Sequence, residues 1–149
     1  MRIRCALLSV VWLALSCLAQ AKQLTVVVEK DNPVSNLTAT ELTKIFCGHM
    51  RTWPDGKPVK VIMRDPSSAD MQIVMHKLLN LSPDQIQSFI QSHRGEIMIA
   101  DSDDAVLRYV SSTRGAIAII DLYSLTKDVN VVKIDGKLPV EQGYFLRGN

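Results

Sequence analysis

Apolar residues in this chain fall into short blocks with two different periods, and the blocks alternate. Leu24 to Glu29 (Leu-Thr-Val-Val-Val-Glu) is β-branched and continuous, which predicts a buried strand, and Asn32-Pro33 ends it. Thr38 opens a helix with a capping box, Thr38 at the cap and Glu41 three residues on, with Leu37 and Leu42 spaced as the hydrophobic staple. That helix runs through Ile45 and Phe46 to a stop at Gly48. Trp53-Pro54-Asp55-Gly56 is a turn, and Val59 to Met63 is a second strand. After Ser68, Met71, Val74, Met75 and Leu78 recur at helical spacing. Ser82-Pro83-Asp84-Gln85 caps a third helix with Leu81 and Ile86 as staple and a stripe of Ile86, Phe89 and Ile90. Ile97-Met98-Ile99 reads as a short extended piece, and Ser102-Asp103-Asp104 starts a fourth helix through Val106, Leu107, Tyr109 and Val110, with Gly115 after its end. Ala116 to Asp121 and Val129 to Ile134 are strands, Asp135-Gly136 is a turn, and Gly143 to Leu146 reads as a closing strand. Alternating strands and helices imply one α/β domain with a largely parallel sheet.

The first 21 residues do not follow this pattern. Arg2 and Arg4 precede an apolar run from Ala6 to Leu18, and Ala19-Gln20-Ala21 is a small-x-small cleavage site. The run is about 13 residues, short of the roughly 20 that span a bilayer. Residues 1–21 are therefore expected to be a signal peptide, cleaved after Ala21, and residues 22–149 the exported domain. A rival reading makes Cys17, after Ala14-Leu15-Ser16, a lipid-modified first residue.

Charge and cysteine usage narrow the function. The chain has 17 Lys+Arg and 15 Asp+Glu; without Arg2 and Arg4 the balance is 15 to 15. Neither a basic surplus nor a stacking platform for bases is visible, so no nucleic-acid partner is expected. Cys5 and Cys17 fall in the signal, which leaves Cys47 alone and permits no intramolecular disulfide. Cys47 reads either as a small buried hydrophobe or as a bridge between two copies in a homodimer.

Catalytic motifs are missing from the sequence. His49, His76 and His93 are scattered, and no His-x-x-x-His, Cys-x-x-Cys, Gly-x-Ser-x-Gly or glycine-rich phosphate loop occurs. No metal, cofactor or enzymatic activity is expected. Asn36-Leu37-Thr38 spells a glycosylation sequon that the helix cap already explains, and Asp103-Asp104 reads as a first-turn complement to a helix dipole.

The segment from Lys60 to Asp70 (Lys-Val-Ile-Met-Arg-Asp-Pro-Ser-Ser-Ala-Asp) carries the candidate chemistry. A strand ends in Arg64, a proline turn follows, and Ser67 and Ser68 begin a helix. An arginine fork, hydroxyls and first-turn N–H donors suit a tetrahedral oxyanion. A ligand-free alternative stands beside it: Ser67 or Ser68 as an N-cap, Asp70 as a first-turn acid, and Arg64 in an ion pair with Asp65 or Asp70.

Leu37 to Gly48, followed by Thr52-Trp53-Pro54-Asp55-Gly56-Lys57-Pro58, resembles the phosphate-type substrate-binding proteins of ABC transporters. Arg64 and Ser68 fall on the family's Arg-x-x-x-Ser-Gly-Thr, Thr113 to Ile120 is similar to its glycine-led strand, and Val131 to Gly136 to the edge strand that follows. The resemblance implies a single three-layer lobe of the type 2 periplasmic-binding fold, with a central mostly parallel sheet flanked by helices. It implies a periplasmic solute-binding protein that binds phosphate or a similar oxyanion through Arg64 and Ser68, with a membrane transporter or sensor as partner; Ser67, from the turn itself, and Asp70, at the family's threonine position, complete the candidate ligand-binding set. Two departures qualify this. Ala69 and Asp70 replace the family's glycine and threonine, and a carboxylate there repels a phosphate dianion, accepts a proton from a protonated anion, or folds away as a helix-start acid. The family's first lobe has no counterpart in the sequence, which leaves half a clamp and favours, as the alternative, an interaction or sensor-adaptor module in the periplasm.

Overall fold

The computed structural model describes residues 22–147. The expected signal peptide and the Cys17 alternative lie outside these residues. Six strands form one sheet: β1 (Leu24–Glu29), β2 (Asn36–Leu37), β3 (Lys60–Arg64), β4 (Ile97–Ala100), β5 (Ala116–Asp121) and β6 (Val129–Ile134), in the order β2-β6-β1-β5-β3-β4. β2 with β6, β5 with β3, and β3 with β4 are parallel, whereas β1 runs against both β5 and β6. Five strands thus point one way, as the mostly parallel expectation requires, and β1 alone is reversed.

Strand alternation divides the core into two layers. Val26, Val28, Val61, Met63, Ile117 and Ile119 face one side, where they meet α1 (Ala39–Phe46), α2 (Ala69–Leu79) and α3 (Pro83–Ser92). Val27, Ile62, Ala116, Ala118 and Ile120 face the other, where α4 (Asp103–Ser112) packs with Val106, Leu107 and Val110.

The helix starts follow their sequence signals. Thr38 Oγ1 accepts from Glu41 N at 3.1 Å while the Glu41 carboxylate accepts from Thr38 N at 2.7 Å, closing the expected box. Those bonds hold the Glu41 carboxyl below its usual pKa. Ser82 and Gln85 form the second box, and Ser68 and Ser102 cap α2 and α4. Gly48, at φ +79°, ends the first helix in the left-handed region. Cys47 sits at that cap only partly buried, its Sγ 3.2 Å from His49 Nδ1, so it is not the core hydrophobe that its neighbours Ile45 and Phe46 are.

One sequence expectation fails locally, and one short strand is unforeseen. Gly143 to Leu146 forms no strand, because Tyr144 N and Arg147 N donate to Glu141 O and Tyr144 O in consecutive turns, and only Arg147 bridges to Gln23. Tyr144 and Leu146 still bury their side chains in the larger core. The two-residue β2 is too short to leave a periodic signal.

Gly115 locks the sheet to the Trp53 turn. Its carbonyl accepts from Trp53 Nε1 and from Lys60 N, each at 2.9 Å, and its N–H donates to Glu29 Oε1 at 2.6 Å. A Cβ here would lie 2.0 Å from Pro58 O, and φ is +78°. Only glycine fits without movement.

Candidate functional site

Parallel β3 and β4 point their carboxyl ends at one edge, and each is followed by a helix that starts there. This is the position where open α/β sheets gather ligands. Arg64 closes β3, and Ser68 caps α2 with its Oγ accepting from Met71 N at 3.3 Å. Asp65 N donates to Ala100 O at 2.9 Å, which ties the turn to β4. The strand-to-helix geometry expected for the candidate segment is therefore present.

The hydroxyls are engaged within the turn and the helix cap. Ser67 donates through both its N–H (2.8 Å) and its Oγ (2.7 Å) to Asp65 Oδ1, and these bonds keep the Asp65 carboxyl below its usual pKa. Ser68 Oγ is the helix cap, and its N–H donates to Asp65 O. With Met71 N satisfied by Ser68, the first-turn N–H groups of Ala69 and Asp70 are the donors for which no acceptor occurs among the described residues.

Arg64 meets carboxylates from two helices. Its Nη1 lies 3.2 Å from Asp103 Oδ1 and 3.6 Å from Asp70 Oδ2. Both acids are buried, Asp70 at 8% and Asp103 at 9% exposure, and the Arg64 side chain is 30% exposed. Arg64 Nε is buried with no hydrogen-bond partner among the described residues. Asp103 Oδ2 also accepts from Ser124 Oγ at 2.8 Å and Asp121 N at 3.3 Å. Lys22 Nζ completes the group, 3.0 Å from Asp70 Oδ1 and 3.6 Å from Asp121 Oδ2. Its hydrogen bond to Asp70, and the nearby carboxylate charges, raise the lysine's pKa above the ordinary value.

Sequence reading foresaw the Arg64–Asp70 ion pair but not Asp103, Asp121, Ser124 or Lys22 as its neighbours. Asp103 was readable only as a dipole complement because its partner is 39 residues away. Placing β3 and β4 side by side in parallel would have supplied the missing signal, since their following helices then start together.

The turn is not an enclosed cavity. A cavity of about 560 Å³ lies at the other end of β3 and is lined by residues that include Phe46, Arg51, Lys60, His93, Glu96 and Met98, but not Arg64, Ser67, Ser68 or Asp70. Among the described residues no group of His, Cys, Asp and Glu is arranged to hold a metal, and no helix is long and apolar enough to cross a membrane.

Comparison with solved structures identifies the fold. An ABC-type phosphate transport receptor from Vibrio cholerae matches with a TM-score of 0.73 at 20% identity, over 86% of this chain and 55% of that one. PstS from Borrelia burgdorferi matches with a TM-score of 0.73 at 22% identity, over 87% and 55%. A putative phosphate ABC transporter substrate-binding protein from Clostridium perfringens, solved with bound phosphate, matches with a TM-score of 0.67 at 20% identity, over 80% and 47%. The chain thus spans about half the length of these structures. A family model described as the PBP superfamily domain matches residues 16–144, most of the sequence. The chain belongs to the PBP superfamily.

Proposed function

We propose that this domain is an exported solute-binding lobe that receives a phosphate-like oxyanion at the β3–α2 turn, without catalysis. The observation that carries the reading is the convergence of Arg64, partly exposed and with Nε unpartnered, on the first-turn donors of α2. Arg64 supplies the charge, and the N–H groups of Ala69 and Asp70 supply directed donors. Ser67 and Ser68 contribute by shaping the turn, and either hydroxyl joins the ligand only by leaving its present partner. Asp70 accepts a proton from a protonated anion or stays on Lys22 and Arg64. Phosphate binding in the Clostridium perfringens protein and the transport role named for the Vibrio cholerae receptor support this reading by family. The same family supports a periplasmic location and an ABC-type membrane partner, with residues 1–21 as the export signal.

One lobe supplies one wall, so binding is expected to be weak unless a second copy or a partner closes the other side. Calorimetric titration with phosphate and with sulfate tests the site. Native protein should release heat with both, and Arg64→Ala should bind roughly ten- to a hundredfold more weakly, the range for losing charged hydrogen bonds. No heat from native protein with either anion at millimolar concentration rules the reading out.

A specific observation favours a second reading. Asp70 and Asp103 already occupy Arg64 Nη1, as expected of a lobe kept as an interaction or sensor-adaptor module. Recovery of the same envelope partner by native protein and Arg64→Ala, with no anion binding by either, would establish that alternative.

A further inference from the structure

Among the described residues, the acidic cluster around Arg64 has one cation fewer than carboxylates. Asp70, Asp103 and Asp121 are three carboxylates, and Arg64 and Lys22 are the two cations that touch them. Each cation is shared: Lys22 Nζ serves Asp70 and Asp121, and Arg64 Nη1 serves Asp70 and Asp103. The backbone nitrogen of Lys22, the first residue after the small-x-small site, is a neutral amide for as long as Ala21 is attached.

The chain is held firmly just beyond that nitrogen. Gln23 O accepts from Leu122 N at 2.7 Å, Gln23 bridges to Arg147 on its other side, and Leu24 is the direct cross-strand partner of Asp121. Lys22 is two residues before Leu24, so its nitrogen lies within about 7 Å of that pairing, two strand steps.

We propose that removal of residues 1–21 creates part of the anion site: the new α-ammonium of Lys22 joins Nζ against Asp121 and Asp70. The inference rests on the export and oxyanion reading given above. A signal-type endoprotease adds water across the Ala21–Lys22 peptide bond. The carbonyl carbon of Ala21 takes the hydroxyl and leaves as a carboxylate, and the nitrogen of Lys22 takes a proton and becomes an ammonium on further protonation. Three cations then face three carboxylates. Asp70 and Asp121 draw on two ammonium groups of one residue, which relaxes the hold of Asp70 on Arg64 and frees the guanidinium for an incoming anion. Without that ammonium the anion is held more weakly, so ligand binding is coupled to arrival in the exported compartment.

The test compares protein that starts at Lys22 with protein that retains Gln20 and Ala21. First, the mass of the exported protein should place its N-terminus at Lys22; a start elsewhere, Cys17 included, overturns the proposal. Second, the α-amino group is labelled by reductive ¹³C-methylation, which preserves its charge, and titrated by NMR without any anion. Its pKa should stand about half a unit or more above the ordinary 7.7–8.0 and return toward it in Asp121→Asn. An ordinary value in the native chain overturns the proposal. Third, phosphate should bind the extended chain about threefold or more weakly, and equal binding by the two chains also counts against it. A raised α-amino pKa in a protein that binds no phosphate or sulfate upholds the charge pairing and removes the oxyanion reading alone.

Discussion

Replacing Asp70 with threonine, the residue that the family pattern carries there, isolates the charge that opposes an anion at Arg64. Asp70 Oδ2 is 3.6 Å from Arg64 Nη1, so an oxyanion on the free side of the guanidinium sits about 6 Å from that carboxylate. For a dianion at this separation in a water-like dielectric, the repulsion is about 1.4 kcal/mol, which is tenfold in affinity. Asp70→Thr should therefore bind phosphate and sulfate about tenfold more tightly than native protein. A monovalent oxyanion such as nitrate should gain only about threefold, because half the charge feels half the repulsion. The gain should shrink in roughly 0.5 M salt as screening shortens below the separation. Asp103 still pairs with Arg64 at 3.2 Å in this variant, so the guanidinium keeps an anchor. Titration calorimetry at low ionic strength reads the affinities, and a thermal melt checks that the fold persists. Unchanged or weaker phosphate binding by a folded Asp70→Thr protein would refute the idea that this carboxylate limits the site.

Two further predictions concern stability. Gly115→Ala places a methyl 2.0 Å from Pro58 O at a positive φ, and the combined backbone strain and overpacking should cost about 2–4 kcal/mol, seen as a fall of roughly 10 °C in Tm; an unchanged melting curve would show that the Pro58 loop yields freely. Burial pushes the Tyr144 phenol up to about 12, whereas the unfolded phenol titrates near 10. The unfolded chain therefore loses this proton first, and stability present below pH 10 should fall by about 2.7 kcal/mol as pH rises through 12. Chemical denaturation across that window should show Tyr144→Phe with a flatter profile than native protein, and parallel profiles would exclude the phenol as the cause. Lys22 acts in the same direction, since its raised pKa means that its ion-pair stabilisation is present below its unfolded value and lost as pH climbs through the folded one.

Much of the scaffold was legible because its signals are local. The β-branched runs of β1, β5 and β6 form strands over the residues expected, and the boxes at Thr38 and Ser82 start α1 and α3. These features depend on neighbours within a few positions. The final segment misled because Tyr144 and Leu146 alternate like a strand, while Gly143 at φ +78° and successive turn bonds dispose of its backbone otherwise. Burial of two side chains was readable there, and the hydrogen-bonding partner was not.

The same division between local and distant information explains the candidate site. Arg64 and the Ser68 cap lie within five residues, so the sequence places an arginine beside a helix N-terminus. What the arginine touches depends on β4 pairing with β3, which delivers the first turn of α4, and on reversed β1, which delivers Lys22 to the same edge. Two helix N-termini then converge, each attracting negative charge, and the chain supplies that charge itself through Asp70 and Asp103. The physics that draws an oxyanion to this edge is the physics that holds these acids there. Whether the site binds a ligand is thus a competition between internal and external anions for Arg64 and the α2 donors, and the loss of one unit charge about 6 Å from the ligand, as in Asp70→Thr, is of the size that shifts its outcome.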